Sequence, residues 1–395
     1  MAATHALTRF NVDTTISGTD HSQKFSPRLV VETAAAIYGF GIDSLEDLFY
    51  RKSSNNGRTW SAVVAIKAAA YARVSVWFDQ WTPGDSGTVI HIWAMDEASD
   101  DVHYFSLDTA SDTLGNAGTE IVVFAGVSTD TSNADLTGAK SRGGKLYCVF
   151  QLDSAVEKGC YWSTDAGATW SARADPVEAT GDFLLLFPGG GADADDMWLV
   201  YWDVSADEVS LKTYDASLDS WSEASISTGM AEATWSTSPS QWAGIINPTN
   251  NHLMLAAWSA RNSATGDLLT WDINGAGSIS AKTDILTDTK FGQGVALTRL
   301  GDGTIRAGYL YSPAGAFTSL ELYAKNSADG MTTWGTEFAV TEDQPRTFFG
   351  LASALSSPSG LCPTLLSEEY VSTYFYIHST YSIRKSPRPT AAIGI

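Results

Sequence analysis

The sequence predicts an all-β fold: a single seven-bladed β-propeller of four-stranded blades that spans residues 1–395. Three observations carry this prediction. Apolar, β-branched and aromatic runs of strand length recur along the chain, a turn motif returns every 50–57 residues, and no segment has the pattern of a helix of three turns. A unit of about four strands, repeated about seven times, is typical of a propeller.

The elements follow in the same order within each unit. A second strand such as 90–95, 146–150 or 197–202 precedes a third strand, and third strands are expected near residues 50, 104, 161, 211, 269, 322 and 375. The last unit lacks an outer strand, because the prolines of the 386–395 tail cannot sustain one. Residues 1–18 supply a closing strand and its lead-in, with Phe10, Val12, Thr14 and Ile16 on one face.

Composition excludes several classes of protein. The net charge of −21, from 24 Lys+Arg against 45 Asp+Glu, argues against nucleic acid and against an anionic membrane surface. No apolar run approaches the roughly 20 residues of a membrane span, so no membrane insertion is expected. Residues 1–5 show no secretory signal, and three Cys exclude a disulfide scaffold.

The repeated motif reads Ser-x-Asp/Asn-x-Gly-x-Thr-Trp in its two clearest copies, which begin at Ser53 and Ser163. Weaker copies begin at Ser106, Thr213, Thr270 and Ala324. We expect a hairpin turn between the third and fourth strands, in which the carboxylate accepts backbone N–H groups and the glycine adopts positive φ. The turn residues assigned to this motif are Ser53, Asn55, Gly57, Trp60, Ser106, Asp108, Ser163, Asp165, Gly167, Trp170, Thr213, Asp215, Thr270, Asp272 and Asn326.

This motif resembles the Asp-box (BNR) repeat of the sialidase-like superfamily. The resemblance implies a propeller fold, and in sialidases an arginine triad, a Tyr/Glu pair and an Asp acid/base. The segment around Arg28 does not match the Arg-Ile-Pro motif of those enzymes, and nothing singles out Glu368, Glu369, Tyr370 or Tyr381 as the pair. We therefore assign no catalytic residue, and a sialidase-like glycoside hydrolase stands as an alternative.

A binding face is expected where the loops after the second strands converge. Asp43, Asp96, Asp153 and Asp203 each end a second strand, so they could form an acidic arc that holds Ca²⁺, or each could start its loop by hydrogen bonding to its own backbone. Trp202 and Trp258 could stack on a sugar or fill space between blades. The six His show no metal-ligand spacing, and no other metal or cofactor is predicted.

The resulting hypothesis is a non-catalytic propeller. Its style resembles the propellers of bacteriophage virions, which implies a structural, tail or adhesin protein that is made in the host cytoplasm and ends up in the virion. The expected partners are other virion or assembly proteins and a neutral host glycan. A cellular Asp-box assembly factor is a further alternative.

Overall fold

The computed structural model describes residues 6–16, 28–43, 45–96, 98–126, 135–152, 157–178, 183–203, 206–228, 230, 242–259, 266–287, 291–312, 320–340, 347–360, 362–369 and 373–381. Two 3₁₀ turns, Asp79–Trp81 and Gly115–Gly118, are the helical segments of this part of the chain. Within it, no helix is long and apolar enough to cross a bilayer. Almost all regular structure is therefore β-strand.

Strand β1 (Ala6–Ile16) opens the described chain, and six antiparallel sheets follow, which we number blades 1 to 6. Blade 1 contains β2 (Val30–Glu32), β3 (Ile37–Ile42), β4 (Leu48–Ser53) and β5 (Val64–Lys67). Blade 2 contains β6 (Tyr71–Phe78), β7 (Val89–Asp96), β8 (Val102–Asp108), the short β9 (Thr113–Leu114) and β10 (Ile121–Phe124). Blade 3 contains β11 (Asp135–Lys140), β12 (Leu146–Gln151), β13 (Lys158–Ser163) and β14 (Ser171–Arg173).

The second half of the ring repeats this order. Blade 4 contains β15 (Phe183–Pro188), β16 (Met197–Asp203), β17 (Glu208–Asp215) and β18 (Ser220–Thr228). Blade 5 contains β19 (Trp242–Asn247), β20 (His252–Trp258), β21 (Leu268–Ile273) and β22 (Ile279–Ala281). Blade 6 contains β23 (Phe291–Leu300), β24 (Ile305–Ser312), β25 (Glu321–Ser327) and β26 (Phe338–Ala339).

The last sheet is composite. It joins β27 (Thr347–Ser353), β29 (Thr364–Glu369) and β30 (Thr373–Tyr381) to β1, while β28 (Ser356–Ser357) pairs back onto β23. The antiparallel register of β1 on β30 places Ala6 opposite Tyr381 and Phe10 opposite Ile377. The prediction of seven blades is wrong in number: the structure has six blades built from consecutive strands. The last sheet takes its outer strand, β1, from the segment that the sequence predicts as the closing strand.

The third strands lie where the sequence places them. The predicted centres fall within β4, β8, β13, β17, β21, β25 and β30. Strand identity could be predicted well because each strand is a short apolar run bounded by turn residues.

The innermost strands contact one another in chain order from β6 to β27, and β3 contacts β6. Strand β27 contacts β2, which brings the first and last sheets together. A buried carboxylate fastens this junction. Glu32, at the end of β2, accepts hydrogen bonds from the Ser357 hydroxyl at 2.6 Å and the Ser359 backbone N–H at 3.1 Å. Glu32 is only 2% exposed, so these donors replace the water that the charge loses on burial.

Deleting residues 1–18 should destabilise the protein far more than deleting residues 386–395. The first deletion removes β1 and the backbone hydrogen bonds that it makes with β30, each worth roughly 0.5–1.5 kcal/mol net, for a total of about 5 kcal/mol. Urea-induced unfolding of both truncated chains measures the difference. Equal midpoints would show that β1 is not needed for closure.

Candidate ligand cleft and its buried relay

The turn at Ser163 has the geometry that the motif predicts. The Ser163 hydroxyl donates to Asp165 Oδ1 at 2.7 Å and accepts the Gly167 N–H at 2.8 Å. Asp165 accepts both the N–H and the hydroxyl of Thr169, and these bonds, with the one from Ser163, lower the pKa of Asp165 to about 2. The Ser53 turn repeats the network with Asn55 in place of the carboxylate.

A third turn of this kind begins at Ser327, which the sequence analysis missed. Ser327 donates to Asp329 Oδ1 at 2.8 Å and accepts the Met331 N–H at 2.9 Å, while Asp329 accepts from Thr333. Met331 takes the position of the glycine at φ 66°. Residues 327–334 do carry Ser, Asp, Thr and Trp at the spacing of the motif, but methionine stands at the position where the motif has glycine.

The assignment of Asn326 to the turn is therefore wrong: the motif begins three residues later than predicted, and Asp329 takes the position given to Asn326. Asn326 lies inside β25 and accepts a hydrogen bond from Arg306 Nε at 2.9 Å. Thr270 and Asp272 are also wrong as turn residues, because both lie within β21. The turn of blade 5 is organised instead by Asn274, whose side chain accepts the Ala276 and Ser278 N–H groups.

The remaining weak copies form simpler turns. Ser106 and Thr213 lie within β8 and β17, and the carboxylates at the ends of these strands begin the turns. Asp108 accepts the Ala110 N–H, and Asp215 accepts the Ser217 N–H. These are local Asx turns without the serine at the start of the motif.

Each described aspartate of the predicted acidic arc instead begins its own loop by accepting backbone N–H groups. Asp43 accepts the N–H groups of Leu45 and Asp47, Asp96 accepts that of Ala98, and Asp203 accepts that of Ala206. Asp153 lies outside the described residues. Among the residues that are described, no group of three or more His, Cys, Asp or Glu could hold a metal ion.

Trp202 and Trp258 fill space between blades and do not face solvent. Trp202 is 1% exposed and meets Trp242 of blade 5 edge-to-face, with ring centroids 6.3 Å apart. Trp258 is fully buried, and its indole N–H donates to the Gly294 carbonyl of blade 6 at 3.1 Å. Neither ring offers a stacking platform, so the expectation of an exposed sugar platform on them is wrong.

An open cleft of about 350 Å³ lies between the outer part of blade 2 and the Ser163 turn of blade 3. The 3₁₀ turn Gly115–Gly118 forms one wall, and the other wall comes from the Ser163 turn. It is lined by Tyr104, Phe105, Ser106, Gly115, Asn116, Thr119, Ile121, Ala166 and Ala168. The exposed part of the lining is aliphatic, hydroxyl and amide surface, because Tyr104 and Phe105 are only 2% and 3% exposed. The lining contains no ionisable acid or base other than the Tyr104 phenol.

This cleft lies at the opposite end of β8 from the 96–101 loop, where the sequence analysis had placed the binding face. Its floor is fixed by close packing. A Cβ on Gly167 would lie 2.1 Å from the Tyr104 ring, and Gly167 has φ +93°, so the turn can approach the ring only because this residue is glycine. Trp170 packs on Tyr104 from the same turn, with ring centroids 5.4 Å apart.

Behind the Tyr104 ring lies a buried polar relay. The Tyr104 hydroxyl is 2.7 Å from His91 Nδ1, and His91 Nε2 is 2.9 Å from Asp79 Oδ1. Lys140 of blade 3 donates to the same Asp79 oxygen at 2.6 Å and to Asp85 at 2.7 Å. Strands β7 and β11 thus both contact one carboxylate on the first 3₁₀ turn, which also accepts the Val89 N–H.

The protons of the relay follow from these contacts. Burial alone would raise the pKa of Asp79, but hydrogen bonds from His91, Lys140 and Val89 outweigh it and bring the pKa to about 2. Burial lowers the pKa of His91, so its imidazole is neutral near pH 7. Nε2–H therefore donates to the Asp79 carboxylate, and Nδ1 accepts the Tyr104 proton.

No family model and no curated protein matches the chain. A polysaccharide lyase of family PL25, an ulvan lyase bound to -[GlcA(1-4)Rha3S]-, is similar in fold with a TM-score of 0.58 at 10% identity, covering 94% of this chain and 96% of that chain. The polysaccharide lyase Uly1 gives 0.54 at 11% identity, covering 93% and 92%.

An intramolecular trans-sialidase from Ruminococcus gnavus gives a TM-score of 0.48 at 12% identity, over 91% of this chain and 96% of that chain. At these identities the similarity shows the fold: the chain is a β-propeller of four-stranded blades, like carbohydrate-active propellers.

Replacing Asp79 with asparagine should destabilise the protein in a pH-dependent way. A carboxyl whose folded pKa lies below its ordinary value contributes stability above pH 4, and this contribution is lost as the pH falls toward 2. At pH 7 the variant removes the more buried of the two carboxylates that hold Lys140 and leaves Asp85, at a cost of about 3 kcal/mol. Urea-induced unfolding at several pH values should show the difference from wild type shrinking below pH 4.

Asp165→Asn is the matched comparison, since its pKa is also about 2 but the group is exposed, and Asn55 occupies the same position in the Ser53 turn. It should cost little at pH 7. A difference between Asp79→Asn and wild type that stays constant from pH 7 to pH 2 would refute the relay's assigned charges.

Proposed function

We propose that this protein is a non-catalytic β-propeller that contacts a neutral glycan through the cleft of blade 2. The observation that carries the proposal is the cleft's lining. Ile121, Ala166 and Ala168 give apolar surface, while Ser106, Asn116 and Thr119 give neutral hydrogen-bonding groups. Sugars without charge are bound by this combination of ring or aliphatic contact and amide or hydroxyl contacts.

The lining also argues against an anionic ligand. Sialic acid and uronic acids carry carboxylates that are held by arginines or lysines, and neither residue lines this cleft. Three carboxylates of the surrounding turns, those of Asp108, Asp112 and Asp165, have lowered pKa values and are ionised at neutral pH. A net charge of −21 adds to the repulsion of an anion.

The fold comparisons support a carbohydrate setting without assigning a ligand. The ulvan lyase was solved with a chain of GlcA and Rha3S, which is anionic. The cleft described here lacks the cations for such a ligand, so we propose that this chain shares the scaffold of that lyase and differs in ligand charge.

We also propose the setting inferred from the sequence: a bacteriophage virion, in which the protein serves as a structural, tail or adhesin component in contact with other virion proteins. Cys148, Cys160 and Cys362 are buried free thiols, which suits synthesis in a reducing cytoplasm. The three turns at Ser53, Ser163 and Ser327 support an Asp-box origin. Capsid and tail genes next to this gene would support the virion setting, and their absence would count against it.

One observation favours a second function, that of a glycan-processing enzyme such as a sialidase-like hydrolase. Tyr104, His91 and Asp79 have the order of a hydroxyl, a base and an orienting carboxylate. However, Tyr104 is only 2% exposed, and its hydroxyl is hydrogen-bonded to His91. The relay therefore holds the ring in place in our proposal.

Binding to an array of neutral oligosaccharides, sialosides and uronic-acid oligosaccharides tests both functions. Ala168→Trp should abolish binding of neutral sugars, because Ala168 is exposed on the cleft wall and an indole there fills the cleft. Thr332→Trp is the matched control: it places the same indole at the equivalent position of the Ser327 turn, far from the cleft, and should leave binding unchanged.

The outcomes separate the candidates. Neutral-sugar binding that Ala168→Trp removes and Thr332→Trp leaves intact supports the proposal. Binding confined to sialosides or uronic acids would overturn it. Release of 4-methylumbelliferone from a sialoside, or cleavage of a polysaccharide, that is lost in Tyr104→Phe would establish the enzyme instead.

A further inference from the structure

The outer strand of blade 4 differs from those of the other continuous blades. β18 has nine residues, whereas β5 and β10 have four, β14 and β22 have three, and β26 has two. Its register on β17 is regular from Ser220 to Ser225, and the bulge falls beyond Ser225. Most of its side chains are exposed.

A long outer strand such as β18 is unusual. An outer strand presents a row of unpaired backbone N–H and C=O groups, with which another extended chain can pair. Proteins protect such edges with short strands, lysines, prolines or bulges. The other five blades use short strands. Within β18 there is no lysine and no proline, and Glu223 is its one charged residue. No other described strand pairs with its outer side.

The charge around this edge is acidic. Glu178, Asp219 and Glu223 have side chains that are 62%, 43% and 40% exposed. Two cations lie near these three carboxylates: Lys212 is 2.7 Å from Glu178 and 3.6 Å from Glu223, and Arg173 lies 3.6 Å from Asp219. One negative charge is thus left in excess at this edge. A second copy of this chain would bring the same carboxylates to the same edge and be repelled, whereas a basic segment would be attracted.

The turn before β18 adds an apolar contact. Leu218 is 72% exposed, which makes it one of the few large exposed hydrophobic side chains among the described residues. It lies two residues before the strand and so marks the end of the edge where an apolar residue of a partner would rest.

We propose that β18 is a docking edge on which an extended, lysine- or arginine-bearing segment of another protein adds a fifth strand to blade 4. Main-chain hydrogen bonds along residues 220–225 supply the affinity, and Glu178, Glu223 and Asp219 select the basic partner. This interaction is separate from the cleft of blade 2 and does not depend on the glycan proposal.

The probe is the acetylated and amidated peptide Val-Lys-Thr-Lys-Val-Lys-Thr, titrated into the full chain by calorimetry. The same peptide with glutamate for each lysine is the control. We expect the lysine peptide to bind and to slow amide hydrogen exchange across residues 220–228, and we expect the glutamate peptide to bind at least tenfold more weakly. Glu178→Gln with Glu223→Gln should weaken binding of the lysine peptide by at least fivefold.

Two proline variants separate docking from folding. Successive N–H groups of a strand point to opposite edges, so one of Ala224→Pro and Ser225→Pro removes an outward donor and the other removes a bond to β17. The variant that keeps the wild-type melting temperature should lose peptide binding at least tenfold. Equal binding of both peptides, protection elsewhere in the chain, or dimers of the free protein that the same proline dissociates would each overturn the proposal.

Discussion

Packing of aromatic rings on glycine between blades is the interaction on which the rest of the structure depends. Trp93 of blade 2 lies against Gly138 of blade 3, where a Cβ would be 2.2 Å from the ring, and Trp258 of blade 5 lies in the same way against Gly292 of blade 6. A fully buried indole removes some 200 Å² from water, which at about 25 cal/mol per Å² stabilises the junction by about 5 kcal/mol. Alanine at either glycine would force the blades apart.

The same packing explains why the tryptophans could not be assigned from the sequence. Trp202 and Trp258 stand at strand ends, where either a ligand platform or an inter-blade contact fits the pattern. What decides between them is the partner on the neighbouring inner strand, Gly292 for Trp258 and Trp242 for Trp202, which lie 34 and 40 residues away along the chain. The strands could be predicted well because the alternation of apolar and polar residues along them is local. The residue against which each strand face packs lies on the neighbouring blade, far away in the sequence, and the local pattern does not reveal it.

The turn motif shows how well a local sequence pattern can predict a turn. Ser163 and Ser53 were identified because glycine stands four residues later, and the Ser327 turn was missed because Met331 takes that position with positive φ. The hydrogen bonds from serine and aspartate tolerate methionine there, so the polar residues determine the turn more than the glycine does. Thr270 was misassigned for the opposite reason: a Thr-x-Asp spacing also occurs inside β21, where Thr270 is buried and donates to the Thr283 carbonyl.

The cleft and the relay depend on each other in a way that no single motif reveals. The Ser163 turn of blade 3 covers the Tyr104 ring of blade 2, His91 orients the phenol, and Lys140 returns from blade 3 to neutralise Asp79. Two blades are thus joined by a charged pair below and by ring packing above, with the open cleft on the outer side. The Tyr104 hydroxyl is paired with His91, and the charges of Asp79 and Lys140 are paired with each other, all inside the relay. The surface that the cleft offers to a ligand is therefore neutral. That division, with charge kept inside the junction and hydroxyl and amide groups outside, is the physical reason to expect an uncharged sugar at this place on an otherwise acidic protein.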